Sequence, residues 1–449
     1  MATSIRTFYT RLYEEYLEEA SFLYSQRRTL FGNPEITWKK IGEFEQRLEA
    51  HIDGLVVGDK LALDVCSRRT AEGDFGELYA AISVFCRQNL RESVLAIFDR
   101  LDATDTERAV AVADALKYEL PNDWVTDFAT LLESGDVKLA PILARVFGYR
   151  RLSSGAALSK AAKRCATSAL PEMVWALGRS DYEPAKEPLL DYLRSEEAPI
   201  RRATAIALAR MGEPSAVDYC IDQARSESWP IAPLGLAGGS DARAVLASSI
   251  GEKNSEDSLV ALASLGDPTS ISVLMAYLEE PKVASAAATA LECITGADLY
   301  ENVFVPDQME EDELFDSERK DLSRGKTLDQ GGSKRFGLSV RRLCRDPQVW
   351  KQWWLGNAHR FSNGIRYRNG RPLSPQALID TIAADSTPYL LRESCLEELA
   401  IRYGYDAGFE ADSPVAQQLN GLAKAEDWSR SCGHEFQAGA YYFKGRLQH

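Results

Sequence analysis

Nucleophilic or metal chemistry in this chain would fall to eight cysteines and four histidines. Their spacing supports neither. Cys66, Cys86, Cys165, Cys220, Cys293, Cys344, Cys395 and Cys432 contain no CxxC pair, and most lie in apolar, helix-like runs. A zinc site or a disulfide framework needs clustered ligands, so these residues read as small buried thiols of a reducing compartment. His51, His359, His434 and His449 are equally scattered. His51 sits on a helical stretch with no partner motif that would make it a general base. Glu310, Glu311, Asp312 and Glu313 could hold a hard cation, but they lack the glycine and alternating ligands of a calcium loop. No GxGxxG or GxxxxGK[ST] follows a strand, and HExxH and GxSxG are absent. The expectation is a protein with no catalytic residue, cofactor or metal ligand.

Binding chemistry concentrates in DPQVWKQWWLGNAHRFSNGIRYRNGRPLSP, residues 346–375. Trp350, Trp353 and Trp354 stand at i, i+3 and i+4, on one face of a helix. Arg360, Phe361, Arg366, Tyr367, Arg368 and Arg371 follow in a glycine-punctuated loop. Aromatic residues and arginine dominate interface hot spots. Trp350, Trp353, Trp354, Arg360, Arg366, Tyr367, Arg368 and Arg371 are therefore the candidate partner-binding residues. Two further readings stay open: the Trp face packs on the last repeat, and the Arg/Tyr loop pairs with the acidic segment of its own chain. Asn369-Gly370 is also the turn pair of a tight hairpin.

The elements that would position this stretch are announced by glycines. Apolar residue, two residues, apolar residue, glycine recurs before Gly148, Gly178, Gly212, Gly238 and Gly266, and with one insertion before Gly296. Self-similarity at a period of about 20–50 residues marks a solenoid. Apolar positions three or four apart share a helix face, and glycine just beyond them can close the helix in the left-handed conformation. Glu213-Pro214 and Asp267-Pro268 then supply an acidic side chain and a proline where the next helix starts. Each unit reads as helix, turn, helix, glycine, with the second helix rich in alanine for close approach (Ala203, Ala205, Ala207, Ala287, Ala288, Ala290). Strand-like alternation is scarce, so the expected fold is an all-α solenoid of helical hairpins with atypical terminal caps. The expected divisions are an N-terminal helical cap over 1–75, a repeat solenoid over 76–300, an acidic linker over 301–337 and a C-terminal helical region over 338–449.

The formal net charge of −15 argues against broad nucleic-acid binding. No run reaches the roughly 20 apolar residues of a membrane span, and the opening MATSIRTFYTRLYEEYLEEA has no apolar signal core. A cytoplasmic location is expected.

The repeat resembles short HEAT repeats of the phycobilin-lyase-like kind. The residues that carry this are Ile200, Arg201, Ala205, Ala207, Leu208, Met211 and Gly212, and Val283, Ala287, Ala288, Ala290, Leu291, Ile294 and Gly296. The capping helices, the WxxWW helix and the following RFxxGxRYRxGxPLSP also resemble an uncharacterised proteobacterial HEAT-repeat family often encoded beside type VI secretion genes; Gly364, Gly370 and Pro372 belong to that match. The resemblance implies a cytoplasmic accessory that binds another protein: a secreted effector, a toxin or a secretion spike component. An adaptor or chaperone role and an immunity role fit equally, and a second copy of the chain is a further candidate partner. The alternative is a HEAT-fold enzyme of the bilin-lyase or DNA-glycosylase kind. The expected binding surface is the face lined by the second helix of each unit.

Overall fold

The computed structural model describes residues 4–33, 36–102, 104–134, 138–250, 255–306 and 337–448. Helices α1 (Ile5–Leu30), α2 (Ile41–Val57) and α3 (Asp59–Glu72) form the N-terminal end. From α4 (Phe75–Arg87) the chain alternates between two layers. The pairs are α5 (Arg91–Arg100) with α6 (Thr106–Glu119), α7 (Val125–Ser134) with α8 (Ala140–Tyr149), and α9 (Gly155–Ala162) with α10 (Leu170–Leu177). They continue as α11 (Lys186–Tyr192) with α12 (Ala198–Arg210), and α13 (Ser215–Gln223) with α14 (Ile231–Ala237). The last are α15 (Ala242–Ser248) with α16 (Ser255–Leu265), and α17 (Ile271–Ala276) with α18 (Ala284–Thr295). The even-numbered helices from α4 to α18 pack side by side as one inner row, and their partners form the outer layer. The fold is an all-α solenoid. One hydrophobic core runs its length, from Leu17 and Tyr24 through Phe147 and Leu208 to Ile294.

Local chemistry starts many of these helices. Asp74 and Glu77 make a reciprocal capping box on α4 (2.8 and 2.9 Å). The Asp267 carboxylate accepts from the Thr269 N–H at 2.9 Å, the role expected of Asp267-Pro268. The glycines divide into two kinds. Gly212, Gly266 and Gly296 have φ of 78°, 74° and 54°, as expected of helix-closing glycines. Gly148, Gly178 and Gly238 do not adopt that conformation. At Gly148 and Gly178 the reason for glycine is proximity. A Cβ on Gly178 would lie 2.7 Å from the Ala207 Cα, and one on Gly148 would lie 2.8 Å from the Ala176 Cα. Glycine on one inner helix thus meets alanine on the next, so the backbones touch.

Beyond α18, β1 (Tyr300–Pro306) and β2 (Gly337–Leu343) form an antiparallel ladder from Tyr300↔Leu343 to Pro306↔Gly337. The linker expected over 301–337 therefore begins and ends in strand. Arg342 pairs with Glu301 across the ladder at 2.8 Å, and Arg341 lies over the Tyr300 ring. The acidic cluster at 310–313 lies outside the described residues.

The C-terminal region comprises α19 (Pro347–Asn357), a hairpin of β3 (Tyr367–Arg368) and β4 (Arg371–Pro372), α20 (Pro375–Ala383), α21 (Tyr389–Arg402), α22 (Val415–Cys432), and a hairpin of β5 (Tyr442–Phe443) and β6 (Arg446–Leu447). It lies along the edge of the solenoid where the inner helices end. Helix α21 packs on α12 and α14, and α22 reaches α2. A second core joins Trp38 and Ile41 from the start of the chain to Leu378, Leu399 and Phe409 near its end.

Candidate functional site

Trp350 is buried, and its indole N–H donates to the Cys344 carbonyl at 2.7 Å. Trp353 and Trp354 are half-buried against Phe361, whose ring packs at a tilt of 58° on Tyr367 with centroids 4.9 Å apart. Arg360 and Arg371 are exposed, Arg371 pairing with Asp380 at 3.1 Å. Arg366 and Arg368 are 0 % exposed, and Tyr367 is 4 % exposed. For Arg366, Tyr367 and Arg368 the expectation of a partner-facing loop is corrected here: the hairpin at Asn369-Gly370 forms and inserts these three side chains into its own chain, while Arg360 and Arg371 stay at the surface.

The electrostatics of that insertion explain why arginine is tolerated there. Glu398 on α21, also 0 % exposed, accepts from Arg368 at 2.5 Å, Arg402 at 3.2 Å and Arg366 at 3.4 Å. One carboxylate cannot neutralise three guanidiniums; most of the remaining donors go to helix ends and one to the Cys293 sulfur, while Arg366 Nη1 and Arg368 Nε are buried without a partner among the described residues. Arg366 donates to the Leu265 and Ser264 carbonyls (2.6 and 3.1 Å), and Arg402 to those of Gly235 and Gly238 (3.1 and 3.2 Å). Carbonyls at a helix C-terminus lack internal partners and carry the negative end of the macrodipole. Burial still pulls the Arg402 guanidinium down to about 10.

Further along the same edge the polarity reverses, and the solenoid supplies the cations. Lys117 pairs with Asp412 at 3.0 Å, Arg151 with Glu410 at 2.9 Å, Arg179 with Glu410 at 2.8 Å and Arg210 with Glu397 at 2.8 Å. Arg179 also pairs with Glu397, and Arg210 with Asp406. Burial pushes the Glu397 carboxyl up, but Arg179 and Arg210 outweigh it and hold Glu397 down at about 2. Near α1, Arg27 donates to the Asp412 carbonyl at 2.6 Å.

The last residues, unassigned from sequence, repeat the first hairpin. Phe361, Gly364, Tyr367, Gly370 and Arg371 recur at a constant offset as Phe436, Gly439, Tyr442, Gly445 and Arg446. The geometry recurs with them. The Tyr367 and Tyr442 hydroxyls accept from the N–H of Ser362 and Gln437 at 2.9 and 2.8 Å. Asn369 and Lys444 both have φ of 49°, followed by Gly370 at 73° and Gly445 at 76°. Each turn points successive N–H groups at a helix end. Asn369 and Gly370 donate to the Cys293 and Ile294 carbonyls of α18, and Lys444 and Gly445 to those of Ile401 and Arg402 of α21 (2.7–3.0 Å).

A cavity of about 310 Å³ opens where the free face of the inner row meets the C-terminal region. The inner helices contribute Lys117, Arg145, Tyr149, Pro171, Glu172, Trp175 and Ala203, and the C-terminal region contributes Tyr389, Glu393, Glu410 and Asp412. Lys117 is consumed by Asp114 and Asp412, and Glu410 by Arg151 and Arg179. Burial beside Glu397, Glu410 and Asp412 pushes the Glu393 carboxyl up to about 7, against the pull of Arg179. Sequence reasoning missed this site because its walls come from distant parts of the chain. Among the described residues no cluster of three or more His, Cys, Asp or Glu is arranged to hold a metal ion, and no helix is long and apolar enough to cross a membrane.

Residues 156–232 match the family model for HEAT repeats. No curated protein and no solved structure matches the chain. The matched stretch runs from α9 into α14, and the same pairing of helices continues on both sides of it from α4 to α18; the chain is an all-α solenoid in which residues 156–232 are similar to HEAT repeats.

Proposed function

We propose that this protein is a non-enzymatic scaffold that binds another protein along the free face of its inner helices. The observation that carries the reading is the division of that row. Its C-terminal edge is covered by the chain's own final region, while Arg145 on α8, Trp175 on α10, Arg202 and Ala203 on α12, and Val260 on α16 remain exposed or half-exposed. HEAT solenoids stack so that successive second helices present one extended surface. The likeness of the Trp helix and RYRNGRP stretch to a family encoded in type VI secretion loci supports a finer reading: a cytoplasmic accessory that loads an effector or neutralises a toxin. The first hairpin then serves the scaffold as an internal fastener.

The test is a pull-down with the tagged full chain from its native cells, repeated with a Trp175→Ala, Arg202→Glu variant whose melting temperature is unchanged. A protein retained by the parent and lost with the variant is the expected result. Retention of a bilin or DNA with no protein, or a partner indifferent to the variant, refutes the reading.

A further inference from the structure

The cavity between α8, α10, α12 and α21 is lined in part by charged side chains left without an ion-pair partner of their own among the described residues. Among the described residues, no hydrogen bond or ion pair engages Glu393, Glu172 or Arg145, although all three line it. Trp175 and Tyr389 supply aromatic lining beside Pro171 and Ala203, and the Arg179 guanidinium lies over the Trp175 ring at 4.0 Å, so Trp175 already takes part in one cation–π contact. The charges around Glu393 are unequal. Glu397 shares its helix, Glu410 and Asp412 face it from the loop before α22, and Glu172 faces it from α10. Opposite them stand Arg179, held by Glu397 and Glu410, Arg151, held by Glu410 and Asp406, Arg210, held by Glu397 and Asp406, and Lys117, held by Asp114 and Asp412. Arg145 is the remaining cation, and it is exposed at the rim. The cavity therefore carries net negative charge beside aromatic surface. That combination favours an ammonium or guanidinium, which gains an ion pair from a carboxylate and a quadrupole attraction from the rings. At pH 8, where Glu393 is ionised, an anion would meet two carboxylates without an ion-pair partner among the described residues, Glu393 and Glu172.

We propose that this cavity is a binding site for a cationic group, the ammonium or guanidinium of a Lys or Arg side chain on a partner protein, with Glu393 as its counter-ion and Trp175 and Tyr389 as its walls. The proposal deepens the scaffold reading by giving the chemistry of the partner's anchor. The same cavity would accept a free small amine, and the experiment separates the two sources.

The probes are agmatine and an acetylated, amidated arginine dipeptide, titrated into the full chain by calorimetry at low salt, with glutarate as the anionic control. Saturable binding of the cationic probes and none of glutarate is expected. Glu393→Gln, which keeps the shape and removes the charge, weakens binding at least tenfold. Arg145→Ala, which removes the competing resident cation, tightens it about threefold. A group that titrates near neutrality also makes affinity depend on pH: between pH 8 and pH 6 the dissociation constant rises about tenfold in the parent and stays flat in Glu393→Gln. A peptide bound at least tenfold more tightly than agmatine marks a protein-borne cation, and the reverse marks a free amine. Equal affinity of parent and Glu393→Gln, or binding of glutarate, overturns the site. If Glu393→Gln lowers the melting temperature, Trp175→Leu replaces it and must weaken both probes. Failure of the probes leaves the pull-down outcome untouched, so the two readings fail separately.

Discussion

Glu398→Gln is the sharpest perturbation of this fold. Gln keeps the volume of the side chain and one acceptor, and it removes the only acidic side chain bonded to Arg366, Arg368 and Arg402 among the described residues. All four side chains are 0 % exposed, so no solvent screens what is left. Breaking a buried ion pair by deleting one partner costs about 3–5 kcal/mol. The carbonyls of Leu265, Ser264, Gly235 and Gly238 continue to hold Arg366 and Arg402, which keeps the expectation inside that range rather than above it, at about 4 kcal/mol. The assay is urea unfolding of both proteins, with hydrogen exchange followed over peptides covering 366–372 and 398–402. Faster exchange confined to those peptides and to the ends of α14 and α16 is expected. A replacement of the whole knot by apolar residues of similar volume (Arg366→Met, Arg368→Met, Glu398→Leu, Arg402→Met) should recover most of the loss, because desolvated charge rather than missing contact is the penalty. A loss under about 1 kcal/mol in Glu398→Gln would refute the electrostatic account.

Three further outcomes follow from the same structure. Gly178→Val should cost about 2–3 kcal/mol in urea unfolding, since its side chain would start 2.7 Å from the Ala207 Cα and the inner row would have to open. Glu397 is held at about 2 against an ordinary 4.5, so the stability it contributes is present above about pH 4.5 and lost as the pH falls towards 2; limited proteolysis across that window should release the C-terminal region before the repeats unfold. Glu393 has the opposite sign. Its folded carboxyl is raised from 4.5 to about 7, so stability falls as the pH rises through that interval, and Glu393→Gln should gain up to about 3 kcal/mol at pH 8 and little at pH 4, read by thermal melts at both.

The repeats were legible because their causes are local. Periodic apolar positions, alanine-rich second helices and the Asp267-Pro268 start each act within a few residues, and α12 and α18 lie where those signals place them. Gly148 and Gly178 carry the same letter as Gly212 for a different reason, which only the neighbouring inner helix reveals. The Arg/Tyr stretch shows the limit more plainly. Arginines beside tyrosine and glycine have one composition whether they meet solvent or a buried glutamate thirty residues away. What decides between them is the row of helix carbonyls at 235–265, and that row exists only after the solenoid is built. The second hairpin did leave a trace in sequence, Phe436, Gly439, Tyr442, Gly445 and Arg446 at the spacing of the first, but a repeat of so few residues is visible only beside its twin. The cavity left none, because Lys117, Trp175 and Glu393 are neighbours through folding alone.

Open solenoids contact only their sequence neighbours, so they fray from the ends and tolerate added or lost units. The strap of residues from Arg366 to Lys444 removes that freedom. It grips the chain at Arg27, Lys117, Arg179, Arg210 and the ends of α14, α16 and α18, with partners as far apart as Arg27 and Asp412. Inserting or deleting one unit would slide every cation past its carboxylate. The length of this array is therefore set like that of a ruler clamped at both ends. While the strap holds, above the acid range in which Glu397 loses its charge, unfolding should be one cooperative event rather than a march of repeats, and folding should wait on the strap.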